Sequence, residues 1–187
     1  MDLVPYFAYG TTQQGFANHR RYADLLGERV ARVRTASAHA VVVPRRAACS
    51  NPGCPYLHRM AALVAGFEPL RVEGDLFLIT ASALAVVDRL ETGSPGLAGP
   101  YVRGPLDVVA LDGAETYAAQ GYLARERGRW RALVQQGDAE ALAAYPPDVA
   151  AAERPKDCCL RRPGHAPPHD VIDPLDGVTD QATGPRT

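Results

Sequence analysis

The amino-terminal segment Phe7-Ala8-Tyr9-Gly10-Thr11-Thr12 is an apolar run that leads into a glycine turn. Residues 3–9 are apolar enough to form a buried strand. Glycine after a strand permits a sharp turn and close backbone approach to a ligand. Successive N–H groups in such a turn can bind a carboxylate or an oxyanion, and the two threonine hydroxyls add donors. The segment therefore predicts an anion cradle, with an ordinary turn as the alternative.

A second segment, Asp88-Arg89-Leu90-Glu91-Thr92-Gly93, closes a predicted helix over residues 81–91. At about 100° per residue, Glu91 falls on the apolar arc of this helix, whereas Arg89 points the opposite way. Burial and the negative end of a helix dipole both disfavour the charged form of an acid. Glu91 is therefore a candidate general acid or base, and a structural acid paired with Arg103 is the alternative.

The remaining chain contains short β-rich runs and short helical patterns. Asp112-Gly113 separates two β-rich runs and predicts a hairpin, because such a turn requires positive φ. Strands do not alternate regularly with long helices, so the pattern favours an α+β fold, a small mixed β-barrel with flanking short helices, over a doubly wound sheet. The predicted strands cover residues 3–9, 29–35, 38–43, 72–79, 101–111 and 114–124, and the predicted helices cover residues 16–26, 81–91, 130–136 and 138–145.

The length of 187 residues fits one domain followed by a tail. We expect the domain over residues 1–145, with a cysteine-containing loop or insertion at 44–59. Residues 146–187 form a Pro/Gly-rich tail. Its last part, residues 170–187, has little apolar surface to bury and is expected to be disordered.

The charge balance limits the classes of partner. The chain has 20 Lys and Arg residues against 21 Asp and Glu, which gives no basic field for nucleic acid or an anionic membrane. No apolar run approaches the ~18 residues of a membrane-spanning helix, and the first residues lack a secretory signal pattern. We therefore expect a cytoplasmic protein, and because small barrels of this size are often monomers or dimers, we expect a monomer or homodimer.

Taken in order, five motifs resemble those of the γ-glutamylcyclotransferase superfamily, and most closely its γ-glutamylamine cyclotransferase and AIG2-like branch. The resemblance covers about residues 3–125, and the ordered set is more specific than any single motif. The motifs are Tyr9-Gly10-Thr11, Gly15-Phe16-Ala17-Asn18-His19, Gly74-Asp75-Leu76-Phe77, Val87-Asp88-Arg89-Leu90-Glu91 and Tyr101-Val102-Arg103.

The resemblance implies a small mixed β-barrel enzyme that needs no cofactor for catalysis. In its reaction the α-amine of a γ-glutamyl substrate attacks the γ-amide carbonyl, closing 5-oxoproline and releasing an amine. Glu91 would serve as general base and then as proton donor to the leaving amine. The resemblance places substrate-binding roles on Tyr9, Gly10, Thr11 and Thr12 of the turn and on Tyr101 and Tyr122 of the pocket wall.

Departures from the branch leave the leaving amine open. Thr12 stands where the branch often has leucine or asparagine, and Thr92 is inserted before Gly93. Removal of a γ-glutamyl protecting group from a biosynthetic intermediate is a sister role within the family. A non-catalytic ligand- or partner-binding protein on the same fold is the alternative from another functional class.

The cysteines fall outside the predicted core, in the 44–59 segment and the tail. Their spacing with nearby histidines is compatible with a structural zinc site, which would pin the tail to the insertion. The alternatives are free thiols or a disulfide between the first two cysteines, which is less expected in the cytoplasm. We expect packing roles for His19 and His39. The candidate zinc ligands are Cys49, Cys54, Cys159 and His165, with His169 or His58 as alternates.

Zinc analysis of purified, active protein tests whether a metal takes part in the reaction. Four protein ligands would leave no open position for a water nucleophile, so we expect activity to persist after zinc has been removed. Metal content is measured by inductively coupled plasma mass spectrometry. Activity that is lost with zinc in protein that stays folded by circular dichroism, and that returns with zinc, would instead make the metal a catalyst.

Overall fold

The computed structural model describes residues 2–45, 55–59, 70–92, 101–113, 115–125 and 127–146. Within these ranges the chain forms strands joined by short helices, which follow one another without regular alternation. In chain order the elements are β1 (Leu3–Ala8), α1 (Ala17–Leu26), β2 (Arg29–Thr35), β3 (His39–Pro44), β4 (Tyr56–Arg59), β5 (Glu73–Thr80), α2 (Ala81–Thr92), β6 (Tyr101–Ala110), β7 (Thr116–Ala124), α3 (Arg127–Gln135) and β8 (Ala139–Leu142).

Five strands close into a mixed barrel in the order β1-β5-β2-β6-β7. Neighbouring strands in this order are antiparallel, and a parallel contact between β1 and β7, at Tyr6 and Gln120, completes the ring. The sheet continues beyond β7 through β4, β3 and β8. The predicted α+β class and the small mixed barrel with short flanking helices are confirmed.

The second half of the barrel strand β1, residues 6–8, is buried on both of its faces. Side chains alternate between the two faces of a strand, and Phe7 accordingly packs inside with apolar residues from β2, β5, β6 and β7. Tyr6 packs on the other side, in a cluster that includes Leu84 of α2 and Leu26 of α1. Burial on both faces explains why the segment reads as a continuous apolar run.

The helix that carries Glu91 begins and packs as its sequence predicts. The Thr80 hydroxyl caps the helix by accepting the Ala83 N–H at 3.1 Å. The buried positions on α2 lie on one helical face: Leu84, Val87 and Glu91 follow at spacings of three and four residues, and Ala83 adjoins Leu84. Within the described residues, no helix is long and apolar enough to cross a membrane.

The hairpin between β6 and β7 is confirmed. Its strands pair from Tyr101 opposite Ala124 to Val109 opposite Thr116. The turn residue Gly113 has φ of 78°, and its N–H donates to the Ala110 carbonyl at 2.8 Å. Glycine is suited to this position because other residues rarely adopt positive φ.

Two sequence-based assignments were wrong. The 138–145 segment was predicted as a helix, but Ala139–Leu142 is strand β8, paired with β3 in a register that places Pro44 opposite Ala139. The 44–59 segment was predicted as a loop, but its last four residues form β4, between β3 and β7. Both strands are fixed by pairing with distant parts of the chain, which local periodicity does not report.

Replacement of Gly74 by alanine tests the close contact between β5 and β1. A Cβ atom at Gly74 would lie 2.3 Å from the Ala8 carbonyl oxygen and 2.6 Å from Phe7 Cε2. Since the backbone oxygen cannot move without disturbing the barrel, we expect Gly74→Ala to lower the free energy of unfolding by about 1–3 kcal/mol. Urea denaturation measures the change.

Gly104→Ala is the matched control for this substitution. Its added Cβ would lie 3.3 Å from the flexible Leu123 Cδ1, so the neighbour can adjust at little cost. Equal stabilities of the two alanine variants would contradict a steric role for Gly74.

Candidate active site

An open pocket of about 270 Å³ lies beside the barrel, between the turn after β1 and the end of α2. Its wall is drawn from elements far apart in sequence. The lining residues are Tyr6, Tyr9, Gly10, Thr11, Thr12, Pro55, Glu91, Tyr101 and Tyr122. The residues singled out from the sequence as catalytic or substrate-binding therefore share one pocket, and Tyr6 and Pro55 join them.

Glu91 enters the pocket from the last turn of α2. The residue is 7% exposed, because it continues the helix face that carries Leu84 and Val87. The pairing with Arg103 considered from the sequence is not formed. Arg103 Nη1 instead lies 2.6 Å from Asp88 Oδ2.

Three residues of the turn after β1, Gly10, Thr11 and Thr12, line the pocket. The turn is closed by the Gln13 N–H, which donates to the Gly10 carbonyl at 3.0 Å. Within the described part of the chain, no backbone carbonyl accepts from the N–H groups of Gly10, Thr11 or Thr12. These N–H groups are available to an anion, as in other backbone concavities.

The two threonine side chains of the turn are held by neighbours. Asn18 Nδ2 donates to Thr11 Oγ1 at 2.6 Å, so the Thr11 hydroxyl proton can point elsewhere. The Thr12 hydroxyl is 2.9 Å from the Tyr6 hydroxyl. All these groups are buried, and their mutual contacts fix the shape of the cradle before any ligand binds.

Gly10 is needed where the turn meets the wall. A Cβ atom at this position would lie 2.8 Å from Cγ of Pro55. The backbone packs so closely against the proline ring that a side chain has no room. This steric constraint explains why glycine occupies position 10.

Asp75, on the neighbouring strand β5, anchors the turn after β1. The sequence analysis missed this role. The Asp75 carboxylate accepts the Gln14 N–H at 2.7 Å and lies 3.3 Å from Arg29 Nη1 and 3.6 Å from Arg32 Nε. Asp75 is 1% exposed. The signal available in the sequence was a charged residue directly before the apolar run Leu76-Phe77-Leu78-Ile79, and such a residue requires partners if it is buried.

Three tyrosine hydroxyls in the pocket wall donate to protein acceptors. Tyr9 donates to the Tyr122 carbonyl at 2.6 Å, Tyr101 donates to the Pro55 carbonyl at 2.7 Å, and Tyr122 donates to Asp88 Oδ1 at 2.9 Å. A hydroxyl whose proton is already used can only accept from a ligand. This side of the pocket therefore has acceptor character.

The charge of Glu91 influences the surrounding tyrosines. Burial, followed by the nearby Glu91 carboxylate, raises the pKa of Tyr6 and that of Tyr9. Burial also raises the pKa of Tyr122, with contributions from Tyr6, Asp88 and Glu91. Tyr6, Tyr9 and Tyr122 therefore keep their phenol protons at neutral pH, so each hydroxyl can still donate a hydrogen bond within the protein.

The wall behind Tyr101 is a stack of aromatic rings. The rings of Tyr56 and Tyr101 have centroids 5.3 Å apart, and those of Tyr56 and Trp130 are 4.2 Å apart. Trp130 belongs to α3, so this helix supports the pocket although it does not line it. Stacked aromatic rings add stability beyond their buried area.

The three histidines of the described ranges, His19, His39 and His58, occupy packing positions. His19 lies against Phe77, with ring centroids 5.7 Å apart. His39 is buried in β3, and burial lowers its pKa. His58, the alternate zinc ligand, is buried in β4 beside Trp130.

The other zinc candidates, Cys49, Cys54, Cys159, His165 and His169, lie outside the described residues, as does the tail after residue 146. Within the described ranges, no group of three or more His, Cys, Asp or Glu residues is arranged to hold a metal ion. The zinc hypothesis stays a prediction.

Comparisons with known proteins agree with this architecture. The structure resembles that of an AIG2-like protein from Mus musculus, with a TM-score of 0.55, 20% identity, and coverage of 78% of this chain and 90% of that one. It also resembles allophanate hydrolase from Kluyveromyces lactis, with a TM-score of 0.52, 12% identity, and coverage of 82% of this chain and 22% of that one. At these identities the likeness shows the fold alone.

The family itself is identified by sequence. A search of curated proteins found no match to the chain. The family model described as "Gamma-glutamyl cyclotransferase, AIG2-like" matches residues 6–141, which is more than half of the 187 residues and spans every lining residue of the pocket. The resemblance drawn from the ordered motifs is confirmed, and the chain belongs to the γ-glutamyl cyclotransferase, AIG2-like family.

Proposed function

We propose that this chain is a cyclotransferase that acts on γ-glutamyl amines. The α-amine nitrogen attacks the γ-carbonyl carbon of the same molecule, a new C–N bond closes the 5-oxoproline ring, and the γ-amide C–N bond breaks to release an amine. No water and no cofactor enter the balance. The observation that carries this proposal is that the Glu91 carboxylate and the donor turn after β1 line one pocket.

The two sides of the pocket suit the two ends of a glutamyl group. The N–H groups of residues 10–12, with the Thr11 hydroxyl, would hold the α-carboxylate. Glu91 and the tyrosine oxygens would face the α-amine. With donors on one side and acceptors on the other, the pocket would bind an amino acid in one orientation. A few well-placed polar groups commonly fix the orientation of a ligand in this way.

Glu91 is the residue suited to move the proton. As a carboxylate it would accept a proton from the α-amine during attack, and it would return that proton to the leaving nitrogen as the γ-amide bond breaks. Asp88, the neighbouring acid, is already engaged by Arg103 and Tyr122. Because the ring closure is intramolecular, holding the substrate in a bent conformation supplies much of the acceleration.

The pocket opens to solvent on one side, and its buried polar and aromatic lining favours a small glutamyl group as the bound part of the substrate. The leaving amine would extend from the open side. A small free amine and a larger biosynthetic intermediate that carries a γ-glutamyl protecting group are both compatible with this arrangement.

Glu91→Gln tests the proposed acid–base residue. Glutamine keeps the shape of the side chain but cannot accept and return a proton, so we expect kcat for 5-oxoproline release to fall by about 10²–10⁴-fold. The panel of substrates contains γ-glutamyl amines, γ-glutamyl amino acids and glutathione, with product measured by mass spectrometry.

The matched control is Glu140→Gln, the same change at a 53% exposed side chain on β8, which should keep normal turnover. Circular dichroism confirms that both variants are folded. Normal turnover by Glu91→Gln would refute the role of Glu91. Binding of the substrates without any turnover by the wild-type protein would favour a binding protein on the same fold.

An analogue without the α-carboxylate tests the turn. A γ-aminobutyryl amide keeps the attacking amine and the amide bond and can still close a ring, but it offers nothing to the N–H groups of residues 10–12. Loss of one or two charge-assisted hydrogen bonds should lower kcat/KM by at least about tenfold.

The analogue's intrinsic reactivity is measured in the same buffer without enzyme, and this rate serves as the control. Turnover of the analogue as efficient as that of the γ-glutamyl amide would show that the turn does not bind the carboxylate.

A further inference from the structure

Asp88 lies one helical turn before Glu91 on α2 and joins the pocket wall to the barrel surface. Its Oδ1 accepts a hydrogen bond from the Tyr122 hydroxyl at 2.9 Å, and its Oδ2 accepts one from Arg103 Nη1 at 2.6 Å. The side chains of Arg103 and Asp88 are 40% and 31% exposed, whereas Tyr122 is 2% exposed. Asp88 therefore connects a buried tyrosine of the pocket to a cation at the surface.

The carboxylate of Asp88 determines the direction of the hydrogen bond from Tyr122. An ionised carboxylate only accepts hydrogen bonds, so Tyr122 must give its proton to Asp88. Burial, the Tyr6 hydroxyl and the carboxylates raise the pKa of Tyr122, which keeps that proton on the phenol. The Tyr122 oxygen then has only lone pairs to offer to a molecule in the pocket.

An acceptor at this place suits an amine that is about to attack a carbonyl carbon. A neutral amine has two N–H bonds and one lone pair. Glu91 would accept one N–H and the Tyr122 oxygen would accept the other, so the lone pair is left to face the γ-carbonyl. A Tyr122 hydroxyl turned toward the pocket would donate to that lone pair and hold it away from the carbon it must attack.

We propose that Asp88 is a positioning residue that fixes the Tyr122 hydroxyl as a hydrogen-bond acceptor for the substrate α-amine. This inference rests on the proposed function. Asp88 does not contact the substrate, and its effect passes through Tyr122. Position 88 on the helix allows this, because residues three apart lie on neighbouring parts of one face.

A purely structural role is the competing explanation, in which the ion pair with Arg103 ties α2 to β6. Partly exposed ion pairs contribute little to stability. Such a role would make Asp88 and Arg103 equally important, whereas the positioning role needs only the carboxylate and Tyr122. This difference allows the two explanations to be separated by experiment.

Asp88→Asn should reverse the hydrogen bond. Because the Arg103 guanidinium only donates, the amide oxygen stays on Arg103 and the amide NH₂ faces Tyr122, whose proton must turn toward the pocket. We expect kcat to fall by about 100-fold and KM to fall rather than rise, since a donor on the amine lone pair stabilises the bound ground state relative to the transition state. Tyr122→Phe removes the acceptor without adding a donor, and should lower kcat by about tenfold.

The double variant Asp88→Asn with Tyr122→Phe gives the sharpest outcome. Without the reversed hydroxyl, its kcat should recover about tenfold relative to Asp88→Asn and return to the level of Tyr122→Phe. Arg103→Gln is the matched control, because it removes the ion pair and leaves the Asp88 carboxylate to accept from Tyr122, and it should stay within about twofold of wild type. Circular dichroism confirms that each variant is folded.

A direct readout of the hydrogen bond does not depend on turnover. In protein labelled with ¹³C at tyrosine Cζ, the Tyr122 resonance is assigned by its absence in Tyr122→Phe. Asp88→Asn should shift this resonance, because the phenol changes from donor to acceptor toward residue 88, and Arg103→Gln should shift it less. Identical resonances in wild type and Asp88→Asn would overturn the proposed direction.

The remaining outcomes separate this inference from the proposed function. If the wild-type protein turns over substrate and Asp88→Asn has the same kcat, the proposed role of Asp88 is wrong and the reaction stands. The same holds if the kcat of the double variant does not recover relative to Asp88→Asn. Damage by Arg103→Gln equal to that by Asp88→Asn would favour the structural ion pair. A folded wild-type protein that releases no 5-oxoproline from any substrate would overturn the function, and with it the part that Asp88 plays in it.

Discussion

The double burial of β1 is the constraint on which the rest of the molecule depends. One face of the strand fills the barrel, and the other packs against α1 and α2. Its antiparallel pairing with β5 and its parallel contact with β7 close the ring. Because the strand cannot slip by one residue without exchanging its two faces, the position of the turn that follows it is fixed with respect to α2.

This fixed geometry determines which side of the pocket carries hydrogen-bond donors and which carries acceptors. Asp75 holds the turn by accepting the Gln14 N–H, and the Asn18 amide orients Thr11 by donating to its hydroxyl. The turn residues therefore lie together on one side of the pocket. On the other side, tyrosine protons are directed into protein acceptors, which leaves oxygen lone pairs beside Glu91. Polar groups arranged before a ligand arrives need no reorientation during a reaction.

Local pattern predicted the parts of the fold that local physics controls. The arc of α2 identified Glu91 as the buried acid, and Asp112-Gly113 marked the hairpin, because helix periodicity and positive φ are properties of short segments. Strand β8 escaped prediction because its pairing with β3 is a long-range contact. In the sequence, Tyr6 looks like a core residue, and only closure of the barrel brings it to the pocket. Pro55 looks like a loop residue, and it reaches the pocket because β4 pairs with β7. The role of Asp75 likewise depends on a partner 61 residues away in sequence.

The burial of Glu91 among tyrosines also has a consequence for evolution of the chain. A carboxylate taken out of water loses hydration that its new neighbours only partly replace, and an apolar side chain of similar size often gives equal or greater stability at such a site. Selection for stability alone would therefore tend to replace Glu91. Under the proposed function, position 91 is therefore where a gain in stability would come with a loss of activity.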